Sequence, residues 1–155
     1  LTYRLCEEKD YAIWQKMNRD FMAEEIRDEE LWNSTNQSSD EEFRQVFFDG
    51  LNSKDKISLL LFEDEGRVVG FANLIYIFSI WAKGKALILD DLFISPEYRG
   101  KGYGRRSVEL IEQHAKDCGC KRIQFQSETT NPNAMSFYIA IGFTPSDMRF
   151  YVKYF

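Results

Sequence analysis

Apolar positions along this chain of 155 residues change their period twice. After Asp10 they recur at Ile13, Trp14, Met17, Phe21 and Met22, the spacing of one helix face. A short run before them, TYRLC at 2–6, reads as a strand. A second helical face carries Phe43, Val46, Phe47 and Leu51 behind Asp40, a residue type that caps helix starts. From 57 onward the pattern shortens. ISLLLFE (57–63), RVVGFANLIYIF (67–78) and KALILDDLFIS (85–95) are rich in branched and aromatic residues, with EDEG and Lys83-Gly84-Lys85 as turns between them. These segments predict meandering antiparallel strands. Pro96 and the glycines after it stop the third strand, and Val108, Ile111 and Ala115 then mark a helix that ends at Cys118-Gly119. RIQFQS (122–127) supplies the next strand through a right-handed crossover, parallel to 85–95. A short helix over NAMSFYIAIG and a final pair, GFTP and RFYVKYF, complete the pattern. The expected class is α/β (α+β): one domain over 1–155, with a mixed, mostly antiparallel sheet of six to seven strands and about four helices.

Composition narrows the partners. With 44% hydrophobic and 15% aromatic residues, the chain is too apolar to be disordered. A net charge of −5 and a pI near 5.0 argue against nucleic acid as the main partner and favour a cationic small molecule. Cys6, Cys118 and Cys120 are odd in number and lack a paired metal pattern, which points to reduced thiols in a cytoplasmic protein and no metal site. No run approaches the roughly 18 apolar residues of a membrane span, and the acidic stretch RLCEEKD is unlike a basic, apolar leader. The expectation is a soluble protein with no membrane partner. Glu24, Glu25, Asp28, Glu29 and Glu30 form an acidic cluster that, alone, reads as a solvated helix face and loop.

Between the third strand and its helix lies Arg99-Gly100-Lys101-Gly102-Tyr103-Gly104-Arg105-Arg106. Alternating glycines let backbone N–H groups approach an anion, and a helix N-terminus adds partial positive charge. A nucleotide P-loop would need Lys followed by Ser or Thr, which is absent here. The dinucleotide fingerprint needs a glycine where Arg105 stands and normally follows a first parallel strand. A plain glycine-rich turn fits the bare loop as well as an anion cradle does.

Two stretches together resemble a family. Arg99-x-x-Gly102-x-Gly104 is similar to the Arg/Gln-x-x-Gly-x-Gly/Ala signature of the Gcn5-related N-acetyltransferases (GNAT). One strand later, Asn131-Pro132-Asn133-Ala134-Met135-Ser136-Phe137-Tyr138, followed by Ile141-Gly142-Phe143, resembles the second family signature. The stretch SIWAKGKALILDDLFISPEYRGKGYG over 79–104 further resembles the diamine (spermidine/spermine) acetyltransferase branch, with a hairpin tip one residue longer.

The resemblance implies acetyl-CoA as donor, held in a cleft where strands 87–95 and 122–127 splay apart. It implies a pyrophosphate on Gly100, Lys101, Gly102, Tyr103, Gly104 and Arg105 beside Arg99, and a pantetheine arm along Leu92, Phe93 and Ile94 with Asn131 and Ala134. A backbone N–H near Phe93 or Ile94 would take the oxyanion. An alkylammonium titrates near 10, so a carboxylate must draw off its proton, directly or through water. Asp90 and Asp91 are the candidates; strand alternation sends them to opposite faces, and the family match favours Asp90. Tyr138 occupies the family position for the general acid. None of the cysteines matches a nucleophile, in keeping with direct transfer, and His114, the only histidine, reads as structural or solvated. Glu24, Glu25, Asp90, Asp91, Gln124, Phe125 and Gln126 are expected around the acceptor, a small-molecule amine for which a polyamine or diamine is favoured. The alternatives are an aminoglycoside, a peptide amine, or an acyl-CoA sensor without turnover. The branch also implies a homodimer.

Overall fold

The computed structural model describes residues 1–25, 38–129 and 131–153. They form two compact units, Leu1–Phe125 and Gln126–Phe155. The first contains β1 (Thr2–Leu5), α1 (Tyr11–Glu25), α2 (Asp40–Asn52), β2 (Ile57–Asp64), β3 (Arg67–Ser79), β4 (Gly84–Ile94), α3 (Tyr103–Asp117) and β5 (Arg122–Gln124). The second contains α4 (Pro132–Ala140). The acidic residues Asp28, Glu29 and Glu30 lie outside the described residues.

The sheet runs β1-β2-β3-β4-β5, antiparallel up to β4 and parallel between β4 and β5. The predicted crossover is therefore present, with α3 as its helix. Helices cover both faces, which is why β2 reads as an unbroken apolar run: Ser58 to Phe62 are all buried. Leu60, Phe62, Leu74, Leu87, Ile111 and Ala115 form the core on the α3 side. Trp14, Met17, Phe47, Leu61, Phe71 and Phe93 form the core on the α1 and α2 side.

Local chemistry sets the turns. Glu65 and Gly66 both have positive φ, 49° and 75°, the backbone a tight hairpin of this hand requires. The cap of α2 is Ser39, not Asp40: Ser39 Oγ accepts from Glu42 N–H at 3.2 Å, and Glu42 Oε2 accepts from Ser39 N–H at 2.6 Å. This reciprocal box satisfies two orphan donors, and it leaves Asp40 to pair with Arg19 of α1 at 2.9 Å.

The sheet has five strands among the described residues, fewer than predicted. β5 stops at Gln124, and 143–153 join no ladder. After α4 the chain turns back on itself, Phe143 N–H donating to Tyr138 O at 3.0 Å. The aromatic content of GFTP and RFYVKYF confers strand propensity, but a strand forms only where a partner edge takes its backbone bonds.

Candidate active site

Asp90 sits on a β-bulge. Leu74 pairs with Leu89 and Asn73 pairs with Asp91, so Asp90 has no partner on β3. The extra residue reverses the parity of the strand. Leu87 and Leu89 pack on the α3 side before the bulge, Leu92 and Ile94 do so after it, and Phe93 joins the opposite core. The expectation that Asp90 and Asp91 face opposite ways is thereby corrected: strict alternation holds only in an unbulged strand. Both carboxylates line one cavity of about 270 Å³ between the sheet and helices α1 and α2. Its walls include Trp14, Met22, Phe43 and Leu59.

Neither carboxylate has an ion pair among the described residues. Asp91 accepts one neutral hydrogen bond, from Asn73 Nδ2 at 2.7 Å. Burial pushes its carboxyl up to about 6; the Asn73 bond opposes that rise and the neighbouring Asp90 charge adds to it. Asp90 keeps contact with solvent, and partial burial raises it in the same direction. Asn73 also accepts from Trp14 Nε1 at 2.9 Å and donates to Asn18 Oδ1 at 2.9 Å. Asn73, Asn18 and Trp14 were not among the expected site residues. The available signal was an amide inside RVVGFANLIYIF, a polar group at a position that should be core.

The donor side is built from an open edge and an uncapped helix. The ladder between β4 and β5 covers only Ala86, Leu87 and Ile88 of β4. From Leu89 to Ile94 the outer edge of β4 has no partner strand among the described residues, so the backbone of Leu92, Phe93 and Ile94 can accept an amide-rich chain as an added strand. Gly100 and Gly102 hold φ of 75° and 80°, and a Cβ on either would meet nothing within 4 Å. Gly102 stands at the cap of α3 and, having no side chain, supplies no capping bond of its own to the first turn. An edge that can pair with amides and an uncapped helix start behind open glycines fit the pantetheine and pyrophosphate of acetyl-CoA.

Side chains of the loop brace it. Arg99 Nε donates to Ile94 O at 2.8 Å and its Nη2 meets Glu24 Oε2 at 2.7 Å. Lys101 Nζ donates to Glu97 O at 2.9 Å, and Tyr103 Oη donates to Asp64 Oδ2 at 2.6 Å. Gly104 and Arg105 occupy the first turn of α3.

The remaining expected residues fall on α1, on and just after β5, and in the second unit. Glu24 is engaged by Arg99, and α1 ends at Glu25. Gln124 is exposed at the end of β5, while Phe125 packs against the α3-side core, away from the face that carries the carboxylates. Gln126, Asn131, Ala134 and Tyr138 belong to the second unit. There Asn131 Oδ1 accepts from Ala134 N–H at 3.1 Å and caps α4, and the Tyr138 ring packs edge-on against Phe137 and Phe143. The described residues hold no cluster of His, Cys, Asp and Glu suited to a metal. None of their helices is long and apolar enough to cross a membrane.

An open mixed sheet, a β4 edge without a partner strand among the described residues and a glycine loop at a helix start together fit an acyl-CoA donor. The acetyltransferase (GNAT) family model matches residues 19–143, and the chain belongs to that family. It is 35% identical over 75 residues to thialysine N-epsilon-acetyltransferase of Bos taurus, a match covering 48% of this chain and 44% of that enzyme. The chain thus spans less than half the length of that relative. Among solved structures, a possible acetyltransferase from Clostridium difficile 630 superposes with a TM-score of 0.82 at 19% identity, covering 99% of this chain and 97% of that one. The aminoglycoside N-acetyltransferase AAC(6')-Iy in complex with CoA gives 0.74 at 14% identity, covering 99% and 93%.

Proposed function

We propose that this protein transfers the acetyl group of acetyl-CoA to a primary amine of a small molecule, with a polyamine or diamine as the favoured acceptor. The observation that carries this reading is the pair of adjacent carboxylates, without ion pairs among the described residues, on the wall of a largely apolar cavity. Apolar walls suit methylene chains, and among the described residues every titratable side chain lining the cavity is acidic: Asp90, Asp91 and Glu42. The thialysine enzyme, named for acetylation at an ε-nitrogen, is compatible with such an acceptor.

When bound, acetyl-CoA supplies the thioester. Asp91 holds the acceptor ammonium, and Asp90, at the bulge and reached by solvent, accepts its proton through water. The amine lone pair forms the new N–C bond at the thioester carbon, the nitrogen's second proton passes to solvent, and the C–S bond breaks as the tetrahedral oxyanion collapses. Backbone N–H groups near Phe93 and Ile94 take up the developing oxyanion. Tyr138 returns a proton to the departing thiolate; the family position supports that assignment. A homodimer and a cytoplasmic location complete the reading.

Thiol release from acetyl-CoA across a panel of amines tests it. Turnover with spermidine or a diamine is expected. Turnover only with aminoglycosides, amino acids or peptides would overturn the acceptor, and no turnover with any amine would leave an acyl-CoA sensor.

A further inference from the structure

The carboxamide of Asn73 has every directional group assigned. An indole is a donor only, so Trp14 Nε1, at 2.9 Å, fixes which end of that amide is oxygen. The amide nitrogen is thereby turned toward two acceptors, Asn18 Oδ1 at 2.9 Å and Asp91 Oδ2 at 2.7 Å. Asn18 is held in turn, its Nδ2 donating to Trp14 O at 2.7 Å one turn earlier in α1. Asn18 and Trp14 are 2% and 3% exposed, so the side of the network that anchors Asn73 is buried.

We propose that Asn73 is a positioning residue of the acceptor site, holding Asp91 in one orientation on the cavity wall with Oδ2 occupied and Oδ1 left for the acceptor ammonium. The inference rests on the reading of this cavity as the amine site. A neutral amide is the residue type this task needs. A lysine or arginine here would pair with Asp91 and cancel the charge that attracts the substrate. An apolar residue would leave a buried carboxylate without a donor and favour its protonated form. Asn73 stabilises the charged form without neutralising it. The other titratable groups on the cavity wall are Asp90 of β4 and Glu42 of α2, the latter bound to Ser39 at 2.6 Å. Among the described residues, α1, β2 and β3 contribute only neutral side chains to that wall.

Asn73→Leu removes all three bonds, and Asn73→Thr keeps a strand-forming residue with a single hydroxyl. Two readouts apply: carbon-13 NMR titration of the Asp91 carboxyl in protein without acetyl-CoA, and the variant-to-wild-type ratio of kcat/KM for spermidine against pH. The ratio cancels the titration of the amine itself. The Asp91 midpoint is expected to move up by about one pH unit in Asn73→Leu and by less in Asn73→Thr. The kcat/KM ratio then falls by about fivefold near pH 6, approaches about tenfold below pH 5, and recovers toward unity by pH 9, with KM for acetyl-CoA within about twofold. An Asp91 midpoint that stays put or moves down in folded Asn73→Thr, or a ratio that is flat across pH, would overturn the proposal. The NMR titration needs no turnover. A shifted midpoint in a protein that acetylates no amine would overturn the reading of the function while supporting the role of Asn73.

Discussion

The two faces of the first unit's sheet each bury a polar network, and the networks end differently. On the α3 face, Ser58 Oγ and Tyr76 Oη lie 2.9 Å apart, Tyr76 Oη and His114 Nε2 2.6 Å, and Tyr3 Oη and His114 Nδ1 3.1 Å. That chain closes on itself: each hydroxyl and ring nitrogen has a partner, and burial lowers the His114 ring toward its neutral form. On the α1 and α2 face, the chain from Trp14 through Asn73 ends on Asp91; among the described residues its second oxygen has no partner and the adjacent Asp90 has no hydrogen bond. A closed network stabilises a fold. An open one terminating in acid retains the capacity to bind a cation and accept a proton.

This contrast can be broken by substitution. The largest effect is expected for Asp90→Asn, a loss of about 10²–10⁴ in kcat with the affinity for acetyl-CoA unchanged. A folded His114→Gln variant with a comparable loss would make the α3 network catalytic and erase the distinction. Next in size is Tyr76→Phe, which leaves the His114 ring without its closest partner. It is expected to destabilise by about 1–3 kcal/mol in denaturant unfolding while leaving the rate near wild type.

The two faces also titrate with opposite sign. Asp91 is raised on folding from 3.8 to about 6, so its contribution is fully present below pH 4 and is lost as pH rises toward 6. His114 is lowered from 6.5, so its contribution is present above that value and is lost as pH falls through the ring's folded range. Asp91→Asn is therefore expected to raise the thermal midpoint at pH 8, by on the order of 2 kcal/mol of stability, and to have little effect at pH 4. His114→Gln should flatten the loss on the acid side instead; unfolding midpoints between pH 4 and 8 check both. The smallest effect belongs to Glu24→Gln. Its ion pair with Arg99 is partly exposed, and its loss should cost less than about 1 kcal/mol and change KM for acetyl-CoA by no more than a few-fold.

Much of this molecule is legible in the order of its residues. The apolar runs at 57–63, 67–78 and 85–95 announce strands because consecutive burial leaves its mark on consecutive residues. The glycine loop is legible because its backbone needs are met only by glycine, as the positive φ of Gly100 and Gly102 confirms. The acidic pair stands out because charge inside an apolar strand is costly. The bulge at Asp90 left no such mark: it is a property of pairing between β3 and β4, and it decides which face each carboxylate takes. Asn73 was hidden for the same reason, since its partners Trp14 and Asp91 lie 59 and 18 positions away in the chain. At the far end, the aromatics of 143–153 looked like strands because propensity is local, whereas a ladder requires an available edge.

The central claim is that Asp90 and Asp91 form the amine site. Calorimetric titration of spermidine into the wild type and the Asp90→Asn, Asp91→Asn double variant at pH 8, with coenzyme A titrated in parallel, tests it most directly. The account expects spermidine binding to be lost in the double variant, by at least about tenfold in Kd, with coenzyme A binding retained. Unchanged spermidine binding in a folded double variant would contradict it.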